Sequence, residues 1–171
     1  LMAIAVVAAP ILTPAARNPY MASAATSFKD ISGHWARSYI QKAVSLGLVN
    51  GYYDGTFRPE NNVTRAEFTK MLNTTLGNNG IVDVDFTDVA PEQWFCADVC
   101  KGVAAAFVNG YGDGAFGPND SLTRAQAAAI LMRYAQYKGV STTERTALNF
   151  SDASSVPSWA YQAMQWCAAK G

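Results

Sequence analysis

Two short stretches hold the residues best placed for chemistry, Thr64-Arg65-Ala66-Glu67 and Thr123-Arg124-Ala125-Gln126. In each, a Thr stands three residues before a Glu or Gln at the head of an apolar helical pattern, which is the spacing of a capping box. The Thr hydroxyl accepts from the N–H of the third residue, whose side chain in turn accepts from the N–H of the Thr. Nothing in that exchange requires the Arg between the partners. Both copies carry one, Arg65 and Arg124, at the first helical position. A cation there is mildly unfavourable beside the positive end of the helix dipole unless an anion joins it. Free helix N–H groups and a guanidinium fork together suit a carboxylate or a phosphate. The expected chemistry is recognition of an anion; the bland alternative is a surface pair with Glu60 or Asp120.

Little else suggests a reaction. The chain has one histidine, His34, and the three cysteines, Cys96, Cys100 and Cys167, match neither a zinc pattern nor a disulfide framework. Cys96 and Cys100 fall one helical turn apart, where disulfide geometry is poor, so free thiols are expected. Asn50, Asp54 and Gly55, matched by Asn109, Asp113 and Gly114, follow part of a calcium loop. However, Tyr52 and Tyr111 occupy a ligand place, and Asn61 and Asp120 stand where a bidentate Glu is needed. Turn chemistry explains the same residues. No catalytic centre, cofactor site or metal site is expected. With 13 basic and 13 acidic residues among 171, the formal charge is zero and no basic run exists, which argues against nucleic acid and anionic membranes as partners.

The elements that must position the two Arg residues are repeated. Phe28-Lys29-Asp30, Phe86-Thr87-Asp88 and Phe150-Ser151-Asp152 open three units, each followed by a tryptophan: Trp35, Trp94, Trp159. Such self-similarity decides the architecture before any local element does. Counting from each Trp, Ala36, Ile40, Ala43 and Val44 form a helical stripe, as do Phe95, Val99, Gly102 and Val103, and Ala160, Met164, Cys167 and Ala168. The small residues imply close helix approach. Pro91 and Pro157 are expected in the first helical turn, and Gly47 at a left-handed helix end. Two Gly-containing turns, in Val49–Pro59 and again in Val108–Pro118, should make a compact ordered loop before the capping-box helix, which shows Phe68, Met71, Leu72 and Leu76 on one face and Ala127, Ile130, Leu131 and Ala135 in its copy.

The expected boundaries are 28–77, 86–138 and 150–171, with polar linkers between. Gly171 stands twelve residues after Trp159, as Gly47 does after Trp35, so the third unit is expected to stop at its first helix, as a piece of a longer protein. Residues 1–24, an apolar run over 1–12 followed by polar residues and the small-residue site Ala22-Ser23-Ala24, read as a secretory signal lacking its basic start, with a buried N-terminal helix as the alternative.

These ordered motifs, Phe28-Lys29-Asp30-Ile31-Ser32-Gly33-His34-Trp35, Gly47-Leu48-Val49-Asn50-Gly51, Asp54-Gly55-Thr56-Phe57-Arg58-Pro59 and Thr64-Arg65-Ala66-Glu67, resemble the S-layer homology domain, and their order recurs in the second unit. The resemblance implies a mainly α fold of tandem helix–loop–helix repeats closing into a pseudo-threefold bundle, with the third repeat incomplete here. It also implies an exported, non-catalytic module at the bacterial cell surface that binds secondary cell-wall polysaccharide without a covalent bond, often through pyruvate ketals. On that view Arg65 and Arg124 take the ketal carboxylate. Trp35, Trp94 and Trp159 offer faces to sugar rings or fix the groove wall, with core packing as the alternative. Asp30, Asp88 and Asp152 accept sugar hydroxyls, orient the Trp loop or cap helices. Unit two departs from the pattern, with Glu92-Gln93 opposite Gly33-His34 and Ala105-Ala106-Phe107 opposite Ser45-Leu46-Gly47. The same resemblance would fit the anchor of a polysaccharide hydrolase or a self-assembling lattice protein.

Overall fold

A computed structural model describes residues 27–76 and 80–170, the side chain of Leu76 excepted. The expected leader at 1–24, Gly77 in the first linker and Gly171 lie outside the described residues. The fold is mainly helical, as expected: α1 (Arg37–Ser45), α2 (Arg65–Leu76), α3 (Cys96–Ala104), α4 (Arg124–Tyr137), a 3-10 turn (Ala153–Ser155) and α5 (Ser158–Lys170). Among the described residues there is no strand, only an isolated antiparallel bridge between Thr64 and Ser121.

Both capping boxes form. The Glu67 N–H donates to Thr64 Oγ1 at 3.2 Å and the Thr64 N–H to Glu67 Oε2 at 2.8 Å. The Gln126 N–H donates to Thr123 Oγ1 at 3.2 Å and the Thr123 N–H to Gln126 Oε1 at 3.0 Å. Arg65 and Arg124 therefore open α2 and α4. The prolines sit elsewhere than expected: Pro91 lies in a turn closed by the Gln93 N–H on the Ala90 carbonyl, ahead of α3, and Pro157 directly precedes α5.

α1 ends in a Schellman motif, with the Gly47 N–H on the Val44 carbonyl at 2.9 Å and the Leu48 N–H on Ala43 at 3.0 Å, and Gly47 at φ 68°. α3 ends the same way, but the left-handed residue is Ala106, at φ 57°. The pairing of Ala105-Ala106-Phe107 with Ser45-Leu46-Gly47 is thus one residue out of register: Ala106 holds the place of Gly47.

The stripe residues are buried or half-buried in all three first helices. Each second helix covers the first helix of the following unit: α2 packs on α3, and α4 on α5. The largest core joins Ala66 and Leu72 of α2 to Val99 of α3, Ile130 of α4 and the loop residues Phe107, Val108 and Phe116. Gly102 shows how closely α3 approaches its neighbours. A β-carbon there would lie 2.6 Å from Val108 Cγ2 and 2.9 Å from Thr69 Cγ2. A polar tie crosses the same contact, from Asn73 Nδ2 to the Asp98 carbonyl at 2.7 Å. The α4–α5 contact is instead built from small side chains, Ala128, Ala129 and Ala163, with Met164. α1 buries Ile40 and Val44 against Phe28 and Ile31 of its own unit.

Candidate functional site

In units one and two the loop is fastened by the Asp of the opening motif. Asp30 Oδ1 accepts the Phe57 N–H at 2.8 Å and Oδ2 the Arg58 N–H at 2.6 Å. Asp88 does the same for Phe116 and Gly117, both at 2.8 Å. Burial pushes the Asp30 carboxyl up, but the backbone N–H groups of Phe57, Arg58 and Asp30 itself outweigh it and hold the group below its ordinary value. Gly51 and Gly110 permit the fit, since a β-carbon on either would strike the ring of Phe28 or Phe86, at 2.1 and 2.5 Å. Asp152 precedes the 3-10 turn and makes no side-chain cap bond there. The first two Asp residues therefore accept from the backbone of the loop ahead of the capping-box helix, not from the segment that carries the Trp.

The two Arg residues have different surroundings. Arg65 is buried, 5% exposed, where it donates Nε–H to the Phe116 carbonyl at 2.9 Å and Nη2–H to the Asn109 carbonyl at 2.9 Å. Its guanidinium also lies over the rings of Tyr111, at 4.4 Å, and Phe116, at 4.8 Å. Desolvation lowers its pKa, opposed by Tyr111, Asp120 and Asp88. The α2 backbone joins this clasp, with the Arg65 N–H on the Asp120 carbonyl and the Ala66 N–H on that of Pro118, each at 3.0 Å. Arg65 of unit one thus holds loop two through its backbone. Arg124 is exposed, with its guanidinium 4.8 Å over the ring of Phe150.

Two grooves lie between units. The first, about 270 Å³, runs between loop one and α2 and is walled by Trp94 of unit two; Tyr52, Arg58, Asn61, Glu67 and Lys70 line it. Tyr52 donates its hydroxyl to Glu67 Oε1 at 3.2 Å, and Lys70 Nζ stands 5.6 Å from the Trp94 ring and 3.7 Å from Asp98 Oδ2. The second groove, about 310 Å³, is largely apolar, with Arg124, Leu131, Phe150, Met164 and Cys167 among its lining.

Of the three Trp residues that follow the opening motifs, Trp94 is half-buried on the core and edge-on to Phe95, whereas Trp35 and Trp159 are exposed. The structure brings Trp94 into the first groove and Arg124 into the second; Arg65, Asp30 and Asp88 instead bond loop backbone, Arg65 from a buried position and Asp30 from an exposed one. Arg58, Lys70 and Tyr52 escaped sequence reasoning. The signal available was a difference between repeats, since Arg58 stands opposite Gly117 and Lys70 opposite Ala129. Of the cysteines, Cys96 and Cys100 keep free thiols with their sulfurs 4.0 Å apart, and burial pushes the Cys100 thiol up to about 11.

Comparison with known proteins agrees with the repeat structure. The chain is 43% identical over 81 residues to a cellulosome-anchoring protein of Acetivibrio thermocellus, covering 46% of this chain and 18% of that protein. It is 34% identical to an amylopullulanase of Thermoanaerobacterium thermosulfurigenes, over 78% of this chain and 7% of the enzyme. It is 32% identical to the surface-layer 125 kDa protein of Lysinibacillus sphaericus, over 88% of this chain and 13% of that protein. The chain thus spans less than a fifth of the length of each of these relatives. The sequence profile of the S-layer homology domain matches residues 27–69 and 85–128, the two units whose loops and capping-box helices are described above. The chain belongs to the S-layer homology domain family.

Proposed function

We propose that this module anchors a larger exported protein to the bacterial cell wall by binding secondary cell-wall polysaccharide without a covalent bond, through a glycan bearing pyruvate ketals. The observation that carries the reading is the first groove, where an aromatic wall from unit two, Trp94, faces a loop and helix of unit one alongside two cationic side chains, Arg58 and Lys70. An aromatic face with hydrogen-bonding neighbours suits a sugar ring, and a guanidinium suits a ketal carboxylate. Arg124, exposed over Phe150, offers the same chemistry at the second groove. Trp35 and Trp159, both exposed, extend the sugar-facing surface. Arg65, Asp30 and Asp88 serve by holding the loops that form the grooves. Asp152 is proposed to accept sugar hydroxyls beside Phe150.

The module itself is proposed to be non-catalytic, needing no cofactor, and the relatives named as an amylopullulanase and a cellulosome-anchoring protein favour polysaccharide-degrading cargo. The test is a pull-down of the chain with purified wall sacculi before and after mild acid removes ketal-linked pyruvate. Binding that disappears with the pyruvate is expected; retention by neither preparation would overturn the reading. The relative named as a surface-layer protein favours a second reading, self-assembly through the repeats, which light scattering without polysaccharide tests.

A further inference from the structure

Residue 58 sits in the left-handed region, at φ 59°, and its counterpart Gly117 sits there too, at φ 71°. The Asp latch imposes this turn in both loops, because Asp30 holds the N–H of Arg58 as Asp88 holds that of Gly117. Glycine takes such a conformation freely, whereas a residue with a β-carbon is strained in it. Unit two uses the glycine and has no room for anything else. A β-carbon at Gly117 would come within 2.5 Å of both Tyr111 Cε2 and Asp120 Oδ2.

Unit one keeps a strained arginine at a place where its own repeat pattern offers an unstrained choice. The guanidinium is held in one position, 4.1 Å over the Tyr52 ring, with Nη2 on Asp54 Oδ2 at 2.9 Å and Nε on Thr56 Oγ1 at 3.2 Å. That position lines the first groove, together with Lys70 and Trp94. A cation fixed in advance loses little freedom on meeting an anion, and a planar fork can engage both oxygens of a carboxylate.

We propose that Arg58 is the residue that reads the acidic group of the glycan in the first groove, and that loop two, with Gly117 at the same place, has no such reader. The ligand class is a small sugar unit carrying a carboxylate, with the carboxylate at the loop end of the groove and the ring toward Trp94. This rests on the wall-glycan reading above and adds a division of labour: at this loop position backbone strain is retained in unit one, where the side chain meets ligand, and absent from unit two, which has Gly117 there.

The test uses the full chain and two probes, a methyl hexopyranoside carrying a pyruvate ketal and the methyl ester of the same ketal, titrated by tryptophan fluorescence. The parent chain should favour the acid over the ester about tenfold. Arg58→Gly, which copies unit two, should bind both alike while melting at a higher temperature than the parent. Arg58→Asn, neutral and tolerant of the left-handed turn, should also lose the preference, each Arg58 variant being read in an Arg124→Ala background so that the second groove adds nothing, whereas Arg37→Ala, on the exposed start of α1 and outside both grooves, should keep it. An unchanged acid preference in Arg58→Gly in that background, or its loss in Arg37→Ala, overturns the proposal. If the parent chain binds neither probe but is still retained by native sacculi, the role of Arg58 falls while wall anchoring stands; failure on sacculi as well removes both.

Discussion

Arg65 and Phe116 are 51 positions apart, yet the Arg65 Nε–H meets the Phe116 carbonyl at 2.9 Å inside the core between two repeats. A second donor of the same guanidinium takes the Asn109 carbonyl, so one side chain satisfies two backbone acceptors of loop two. Arg65→Ala would leave both carbonyls without this partner and open a void under Tyr111 and Phe116. We expect a loss of about 3 kcal/mol in urea unfolding. Arg124→Ala, at an exposed position, should stay within about 0.5 kcal/mol of the parent.

Gly102→Ala tests how tightly α2 and α3 meet. The added methyl would face Val108 and Thr69, both β-branched and nearly inaccessible, at 2.6 and 2.9 Å. Overpacking costs about 1–3 kcal/mol and outweighs the gain from replacing a helical glycine. A lower melting temperature is the expected outcome, and an unchanged or higher one would mean that the two helices can separate without cost.

Ala106→Gly should have the opposite sign. Ala106 ends α3 at φ 57°, where the first unit has Gly47. Glycine relieves left-handed strain worth about 1 kcal/mol. In a chain of this size that raises the melting temperature by about 3 °C, measured by circular dichroism.

Acid should loosen loop one ahead of the core. The Thr56 hydroxyl, then Arg58 and the Thr56 N–H, hold the Asp54 carboxyl down at about 2, and the Asp30 carboxyl is also held below its ordinary value. Carboxyls with lowered folded-state values lend stability that is fully present above the unfolded value, near 4, and is lost as pH falls through the folded one. Between pH 7 and 5 the amide resonances of Phe57 and Arg58 should therefore hold still. Below pH 4 they should shift, and Asp54→Asn should abolish the part of that change that falls near pH 2.

Local rules carried well wherever a residue answers to its near neighbours. Both capping boxes and the Gly47 helix end follow from side chains within a few positions of one another, and the apolar stripes follow from helical period. The roles of Arg65 and Asp30 were less legible, because their partners are backbone groups of distant loops, and a main-chain carbonyl leaves no mark in a sequence. The place of Pro91 was less legible for a related reason: proline suits a tight turn as well as a first helical turn. The different surroundings of Arg65 and Arg124 could not be seen in two matching tetrapeptides, since loop two covers one and an open groove adjoins the other. Arg58 was visible only as a mismatch with Gly117, and its meaning required the backbone angle.

The pairing of α2 with α3 and of α4 with α5 sets the fold half a period out of phase with the sequence. The unit that recurs in the text begins at Phe28, Phe86 or Phe150, whereas the unit that buries a surface begins at a Thr-Arg helix and ends with the helix after the next Trp. Excision at the textual seams would split the α2–α3 and α4–α5 faces between two pieces. Duplication or loss of segments during evolution can preserve every interface wherever the breakpoints fall, provided a whole period is inserted or removed, because the seam then rejoins a second helix to a first helix of the same kind. Such a change by whole periods leaves a second helix against a first helix at every seam.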